Sequence, residues 1–520
     1  MPALSRSREI NRCTRFSLLL TLAIAGRAQV AVCARCHPAE VAGYSQFSMA
    51  HSLRRASREP AGSFQNAWGT KFTVRSDESG TWQRLERTVD VSEYRVEYVI
   101  GSGNHASGYL VRIGDHLFQS PIAYYTNRRS YDMAPGYEKA SEADFTRPVT
   151  EECLLCHSGK PLHLAGTVNR YASPPFEKEA ISCERCHGST VEHLKRPVPG
   201  SIINPARLSG AARDSVCEQC HLSGFVRVLN PGKSFADFRP GQRLEEVFTV
   251  YRDARPPDGP PGPLKVISHP EQLAASACAR NSNGKMWCGT CHDPHNKPAQ
   301  PIEYYRTRCL SCHAGKLIEK HPEGEAGDCV GCHMPRRKAF DGGHTVFTDH
   351  RIVRRPQTEA AVADSGELVA WREPDAPFAK RNLALAYVNA GLQKHSPAWI
   401  VRGYRMLSEI QTAFADDAAV LNGFGAALLE GNRPCEARFA FNRLVTLDPS
   451  NPLNQENAGR AELGCGDVQL AVSHLEKAME LDPLLLSAAE LLESIYGKTG
   501  ETAKQAALAA RVEQAMRQPH

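Results

Sequence analysis

Alternation and periodicity divide the chain into unlike regions. Residues 64–131 alternate as strands do. Tyr94, Val96, Tyr98 and Ile100 form a period-two run, and Thr70 to Val74 and Leu110 to Ile113 follow the same pattern. GSGN at 101–104 and the stretch Asp77 to Gly80 supply turn residues. A small antiparallel β insertion is expected there. Residues 378–516 are instead rich in Ala, Leu and Glu, with helical periodicity and a self-match at a period of 34. Leu447-Asp448-Pro449 recurs as Leu481-Asp482-Pro483, Ala437 as Ala471, and Gly425 as Gly459. Turn glycines fall at Gly431, Gly466 and Gly500; Gly391 precedes Gly431 by 40, which gives the first unit a longer connection. Residues 356–377 are polar, carry Pro356, Pro374 and Pro377, and read as a linker. Between 150 and 355 neither pattern persists, and the Pro/Gly-rich run at 255–263 reads as a surface loop.

The amino terminus reads as an export signal over residues 1–28. Arg6, Arg8, Arg12 and Arg15 precede an apolar run from Phe16 to Ala25, and Gly26 and Ala28 are small enough for cleavage before Gln29. That run is well short of the roughly twenty residues a spanning helix needs. No later stretch is apolar enough to span, so the mature chain is expected to be periplasmic or otherwise exported.

Cysteine changes the picture most. Fourteen of the 18 cysteines fall in seven copies of Cys-x-x-Cys-His. The pairs are Cys33 and Cys36, Cys153 and Cys156, Cys183 and Cys186, Cys217 and Cys220, Cys288 and Cys291, Cys309 and Cys312, and Cys329 and Cys332. The closing histidines are His37, His157, His187, His221, His292, His313 and His333. Zinc and disulfide chemistry both use Cys-x-x-Cys. Neither explains a histidine in seven places out of seven when His is 20 of 520 residues. Covalent haem c does: each thiol adds to a vinyl group and the adjacent imidazole ligates the iron. Seven haems c are expected. First cysteines in the 150–355 region lie as little as 20 residues apart, too close for each segment to build its own core, so the porphyrins must supply it. The formal charge of +5 then falls, because seven ferric haems with ionised propionates contribute about −7. Basic residues are dispersed and no nucleic-acid module is recognisable.

Thirteen histidines lie outside the motifs. His395, His474 and His520 sit in the helical repeats or tail. Ten remain as distal ligand candidates: His51, His105, His116, His163, His193, His269, His295, His321, His344 and His350. Met49, Met133, Met286 and Met334 are second choices. Ten imidazoles for seven sixth positions allow every iron to be bis-histidine. Of the other cysteines, Cys13 leaves with the signal and Cys278 has no assigned role. Cys435 and Cys465, in adjacent repeats, either pair or are buried singly.

Several segments make the chain resemble the superfamily of periplasmic multihaem cytochromes that includes hydroxylamine oxidoreductase and its tetrahaem electron acceptor. They are FSMAHS at 47–52, GSGNHASGYL at 101–110, CERCHGSTVEHL at 183–194, SHPEQL at 268–273, CGTCHDPH at 288–295 and CHMPRRKAFDGGHTVFTDHRI at 332–352. The 34-residue period resembles the tetratricopeptide repeat, without the Trp often found in its first helix. The cytochrome resemblance implies His51, His105, His193, His269, His295, His344 and His350 as distal ligands, with His116, His163 and His321 in reserve. The expected architecture is α+β. A loop-rich, mostly helical heptahaem domain over 29–355 carries the β insertion, and an all-α repeat superhelix follows at 378–516. The expected function is electron transfer along mainly bis-histidine haems, with the repeats docking a redox partner protein. The alternative is an oxidoreductase acting on a small nitrogen or sulfur compound at one open iron. The superfamily's nitrite reductases use a lysine-ending motif for that iron, which this chain lacks. Its hydroxylamine oxidoreductases use a tyrosine cross-link, for which nothing singles out Tyr124, Tyr125, Tyr304 or Tyr305.

Overall fold

The computed structural model describes residues 32–88, 90–254, 263–313, 327–354 and 365–517. The expected signal segment, most of the 255–263 loop, His321, residues 356–364 of the expected linker and His520 lie outside the described residues.

The alternating region folds as a nine-stranded antiparallel sheet, larger than the small insertion expected. Its strands are β1 (Leu53–Arg55), β2 (Gly62–Gln65), β3 (Lys71–Asp77), β4 (Gly80–Glu86), β5 (Val91–Ile100), β6 (Ala106–Ile113), β7 (His116–Tyr125), β8 (Ser130–Met133) and β9 (Arg147–Pro148). The spatial order is β2-β3-β4-β5-β6-β7-β8, with β1 on β5 and β9 on β7. Short β1 and β9 extend the sheet beyond 64–131 on both sides; strands of two or three residues leave no readable alternation. Phe72, Leu85, Val99, Tyr109, Val111 and Ile113 are fully buried beneath it.

The motif region is loop-rich, as its composition requires. Its regular structure is short helices and three small strand groups: β10 (Lys160–His163) with β11 (Tyr171–Lys178), β12 (Val226–Leu229) with β13 (Phe248–Asp253), and β14 (Arg336–Lys338) with β15 (Val346–Thr348). The stretch read as a linker instead contributes a strand, β16 (Leu368–Ala370), which pairs antiparallel with β13.

Eight antiparallel helices complete the chain: α1 (Ala376–Lys394), α2 (Pro397–Ile410), α3 (Ala418–Glu430), α4 (Pro434–Leu447), α5 (Pro452–Cys465), α6 (Val468–Leu481), α7 (Leu486–Thr499) and α8 (Thr502–Met516). Asp417, Asn451 and Asp467 cap α3, α5 and α6 by accepting from backbone N–H groups of the first turn. The 34-residue period marks close packing: a Cβ on Gly425 would come within 2.5 Å of the Phe441 ring, and one on Gly459 within 2.8 Å of Leu475. Gly391 is not the first turn. It lies inside α1 against Ile400, and His395 makes the turn with φ +50°. Cys435 and Cys465 form a disulfide joining α4 to α5, with Cα atoms 4.8 Å apart. Among the described residues no helix is long and apolar enough to cross a membrane.

The repeats rest on the rest of the chain at both ends. At the first end, Val226, Val228, Tyr251 and Leu368 share a core with Leu385, Tyr387, Trp399 and Leu407. Buried Arg381 there donates to the Leu229 carbonyl at 2.7 Å and pairs with Asp417 at 2.8 Å. Asn382 donates to Asn230 and Thr249. At the other end Leu484 enters the sheet core, joined by Leu486, Ala515 and Met516. His116, at the head of β7, lies between Asp115 at 2.9 Å and Asp482 at 2.8 Å, and Arg170 binds both Asp115 and the Leu481 carbonyl.

Candidate functional site: a continuous cavity lined by the cysteine motifs

Each motif forms a helical turn, which in the second and fourth is the end of a longer helix. The histidine N–H donates back to the carbonyl of the first cysteine at 2.8 Å in the first motif, 2.9 Å in the third and fifth, and 3.0 Å in the sixth. Residues three and four apart on such a turn share a face, so both thiols and the imidazole of one motif point the same way.

They point into one cavity of about 5210 Å³, lined by all fourteen motif cysteines and all seven motif histidines. Shared among seven motifs this is about 740 Å³ each, inside the range of about 300–1,000 Å³ for a single organic ligand. The motifs meet out of sequence order. The thiol of Cys183 faces Cys33, Cys156 faces Cys220, Cys217 faces Cys288, and Cys309 lies beside both Cys291 and Cys329. Burial pushes the thiols of Cys186 and Cys309 up to about 11, which keeps them protonated at neutral pH. Among the described residues no three His, Cys, Asp or Glu side chains are arranged to hold a metal ion between them.

Six of the seven distal candidates line the same cavity: His51, His105, His193, His269, His295 and His350. Two imidazoles that share one metal through nitrogens about 2 Å from it have ring centres roughly 6 Å apart. His37 and His193 lie 6.3 Å apart at 27°, His187 and His295 5.9 Å apart at 20°, and His292 and His350 6.1 Å apart at 31°. His221 and His269 are 5.4 Å apart at 84°. Nδ1 of His187 donates to the Ile203 carbonyl, that of His333 to Val353, that of His350 to Thr348, and that of His193 to Ser201 Oγ. Each bond fixes the tautomer and leaves Nε2 for a metal. Burial pushes His157, His187, His221, His292 and His350 down, and His269 down to about 3, favouring the neutral form that ligates. The donor set and the space therefore fit haem c.

The remaining candidates sit differently. His51 donates from Nε2 to the Ser45 carbonyl at 2.7 Å. His105 packs on Phe347 at 4.7 Å. His344 is outside the cavity lining, with Nε2 on Asp132 at 2.8 Å and its ring against Tyr125. Of the reserves, His116 is taken up by the carboxylates of Asp115 and Asp482, and His163 packs edge-on to Tyr171 at 5.2 Å. Met49, Met286 and Met334 line the cavity, and so does Cys278, whereas Met133 is buried under the sheet. Among the described residues His157, His313 and His333 have no second imidazole stacked at about 6 Å. Tyr44 went unnoticed in the sequence. It is buried among Cys183, Cys186 and Cys220 and donates to the Ile181 carbonyl at 2.8 Å.

The family described as cytochrome c554 and c-prime matches residues 123–188, which hold the second and third motifs. That similarity supports a c-type cytochrome, and with it haem c. No curated protein matches the chain. Solved structures match part of it. A MamA double mutant of RS-1 is 17% identical over 28% of this chain and 76% of its own, with a TM-score of 0.25. The first TPR domain of human RPAP3 is 16% identical over 23% and 95%, with a TM-score of 0.21. The PilF protein of Pseudomonas aeruginosa is 22% identical over 28% and 64%, with a TM-score of 0.24.

Proposed function

We propose that the protein is an exported heptahaem c-type cytochrome that carries electrons. The observation that carries this reading is the single cavity onto which fourteen cysteines and seven motif histidines open. Haem c at each motif supplies a one-electron couple whose potential follows its axial ligands, burial and neighbouring charge. The chain's own residues do the rest. The thiols would hold each haem covalently and the motif imidazole would ligate its iron, with His193, His295, His350 and His269 as the second ligands for the first, third, fifth and fourth motifs. His51 and His105 remain candidates for the second, sixth and seventh. Contacts between motifs give a path from the first through the third to the fourth, then to the fifth, sixth and seventh, with the second beside the fourth.

The repeats take the partner protein. Within them Leu429, Asn432, Arg460, Leu463 and Leu491 line a hollow of about 540 Å³. The Cys435–Cys465 disulfide supports an oxidising compartment.

A second reading has one observation in its favour. His157, His313 and His333 lack a stacked second imidazole among the described residues, which leaves room for one open iron and an oxidoreductase. An absorption spectrum with carbon monoxide separates the two. The electron-carrier reading expects a wholly low-spin oxidised protein that binds no carbon monoxide when reduced. A high-spin fraction with carbon monoxide binding supports the oxidoreductase.

A further inference from the structure

Resting on that reading, we propose that Arg372, on the strap leading into the repeats, sets the charge and thereby the reduction potential at the fourth motif. The fourth motif reads Cys217-Glu218-Gln219-Cys220-His221 and ends a helix spanning Gly210–His221. Cys217, Gln219, Cys220 and His221 line the cavity and Glu218 does not. Its carboxylate turns to the back of the helix, where its side chain is 5% exposed. Arg372 meets it there with both terminal nitrogens, one of them at 3.1 Å, and Trp371 Nε1 donates to the same carboxylate at 3.0 Å. Arg372 Nε binds a second buried carboxylate, Glu245, at 2.9 Å, and Nη2 donates to Ser215 Oγ at 3.0 Å.

One guanidinium therefore serves two carboxylates that water barely reaches, leaving a formal charge of −1. The other Glu inside a motif, Glu184 of the third, is ion-paired with Lys178 at 3.0 Å. An α-helix with its side chains is about 10–12 Å across, so the triad would stand at least that far from an iron held by His221. At an effective dielectric near 20, a unit charge at that distance would change the ratio of reduced to oxidised iron by up to about tenfold, which is about 59 mV for a one-electron couple. Trp371 and Arg372 directly follow β16 and precede α1, so the seating of the repeats is felt at the motif that contacts the second, third and fifth.

Arg372 is a positioning residue in this account, and its test reads potentials. Arg372→Gln removes the cation and favours the ferric state, so one couple of the full-length exported protein falls by up to about tenfold in its reduced-to-oxidised ratio. Glu245→Gln removes an anion without touching a motif residue, and the same couple rises by a similar factor. It also keeps the proposal testable if Arg372→Gln fails to fold. Spectroelectrochemical titration of parent and variants, with haem content counted first, reads both. One couple moving in opposite directions in the two variants, or rising in Glu245→Gln alone if the other is not recovered, supports the assignment. Fully loaded variants whose couples all stay within twofold of the parent, or all move together, overturn it. A parent that carries no covalent haem overturns the cytochrome reading itself.

Discussion

His37 and His193 come from segments far apart in sequence, yet their rings lie nearly parallel with centres 6.3 Å apart. Replacing His193 with Ala removes one side of that site and leaves the Cys33 and Cys36 attachment untouched. The expected result is one high-spin iron per molecule and carbon monoxide binding at one site, read by absorption and electron paramagnetic resonance. His344→Ala is the counterpart. Its Nε2 is held by Asp132 outside the cavity, so no change in spin state is expected. A low-spin His193→Ala protein would reassign that ligand. The motif residues were legible in the sequence because thioether chemistry fixes cysteine spacing and places the histidine next in line. Distal ligands carry no such covalent rule. Their identity in the sequence came from resemblance, and their pairing depends on the fold bringing His295 to His187 and His350 to His292.

Among the elements, the repeats were the most readable, since a 34-residue period reports the same close contact made twice. Gly459 has room for no side chain against Leu475. Gly459→Val should cost about 1–3 kcal/mol by overpacking, read as a lower denaturation midpoint of the α5–α6 region. The Cys435–Cys465 disulfide closes a loop of sequence separation 30. Cys435→Ser should lose about 3–4 kcal/mol, and reduction of the parent should reproduce that loss. An equal melting temperature with and without reductant would contradict it. The sheet was read too small. β3 to β6 run over seven to ten residues with partial alternation and β7 is buried almost throughout, whereas β1, β2, β8 and β9 have two to four residues and are ordered by their neighbours. The strand within the expected linker was hidden for a related reason: Leu368 to Ala370 is too short to show a period, and its pairing with β13 is a tertiary event.

At the scale of the whole molecule, the repeats are held at two ends and are no loosely attached appendage. Deleting them would expose Val226, Tyr251 and Leu368, so loss of activity on deletion would not report on partner docking. An exposed substitution at the rim of the hollow, such as Glu430→Arg, leaves that seam intact and should weaken partner coupling while dye reduction persists. The far seam rests on His116 and Asp482. Asp482→Ala leaves a buried imidazole nitrogen without its partner, at about 1–3 kcal/mol. Faster amide hydrogen exchange in α7, α8 and β7 together should follow, and unchanged exchange in β7 would show that the seam does not couple them.

The central claim is covalent attachment at every motif, and mass spectrometry of the denatured, correctly exported protein tests it most directly. The account predicts a polypeptide carrying seven haem masses that survive acid and organic solvent. A chain at its bare mass, or one retaining far fewer than seven, would contradict it.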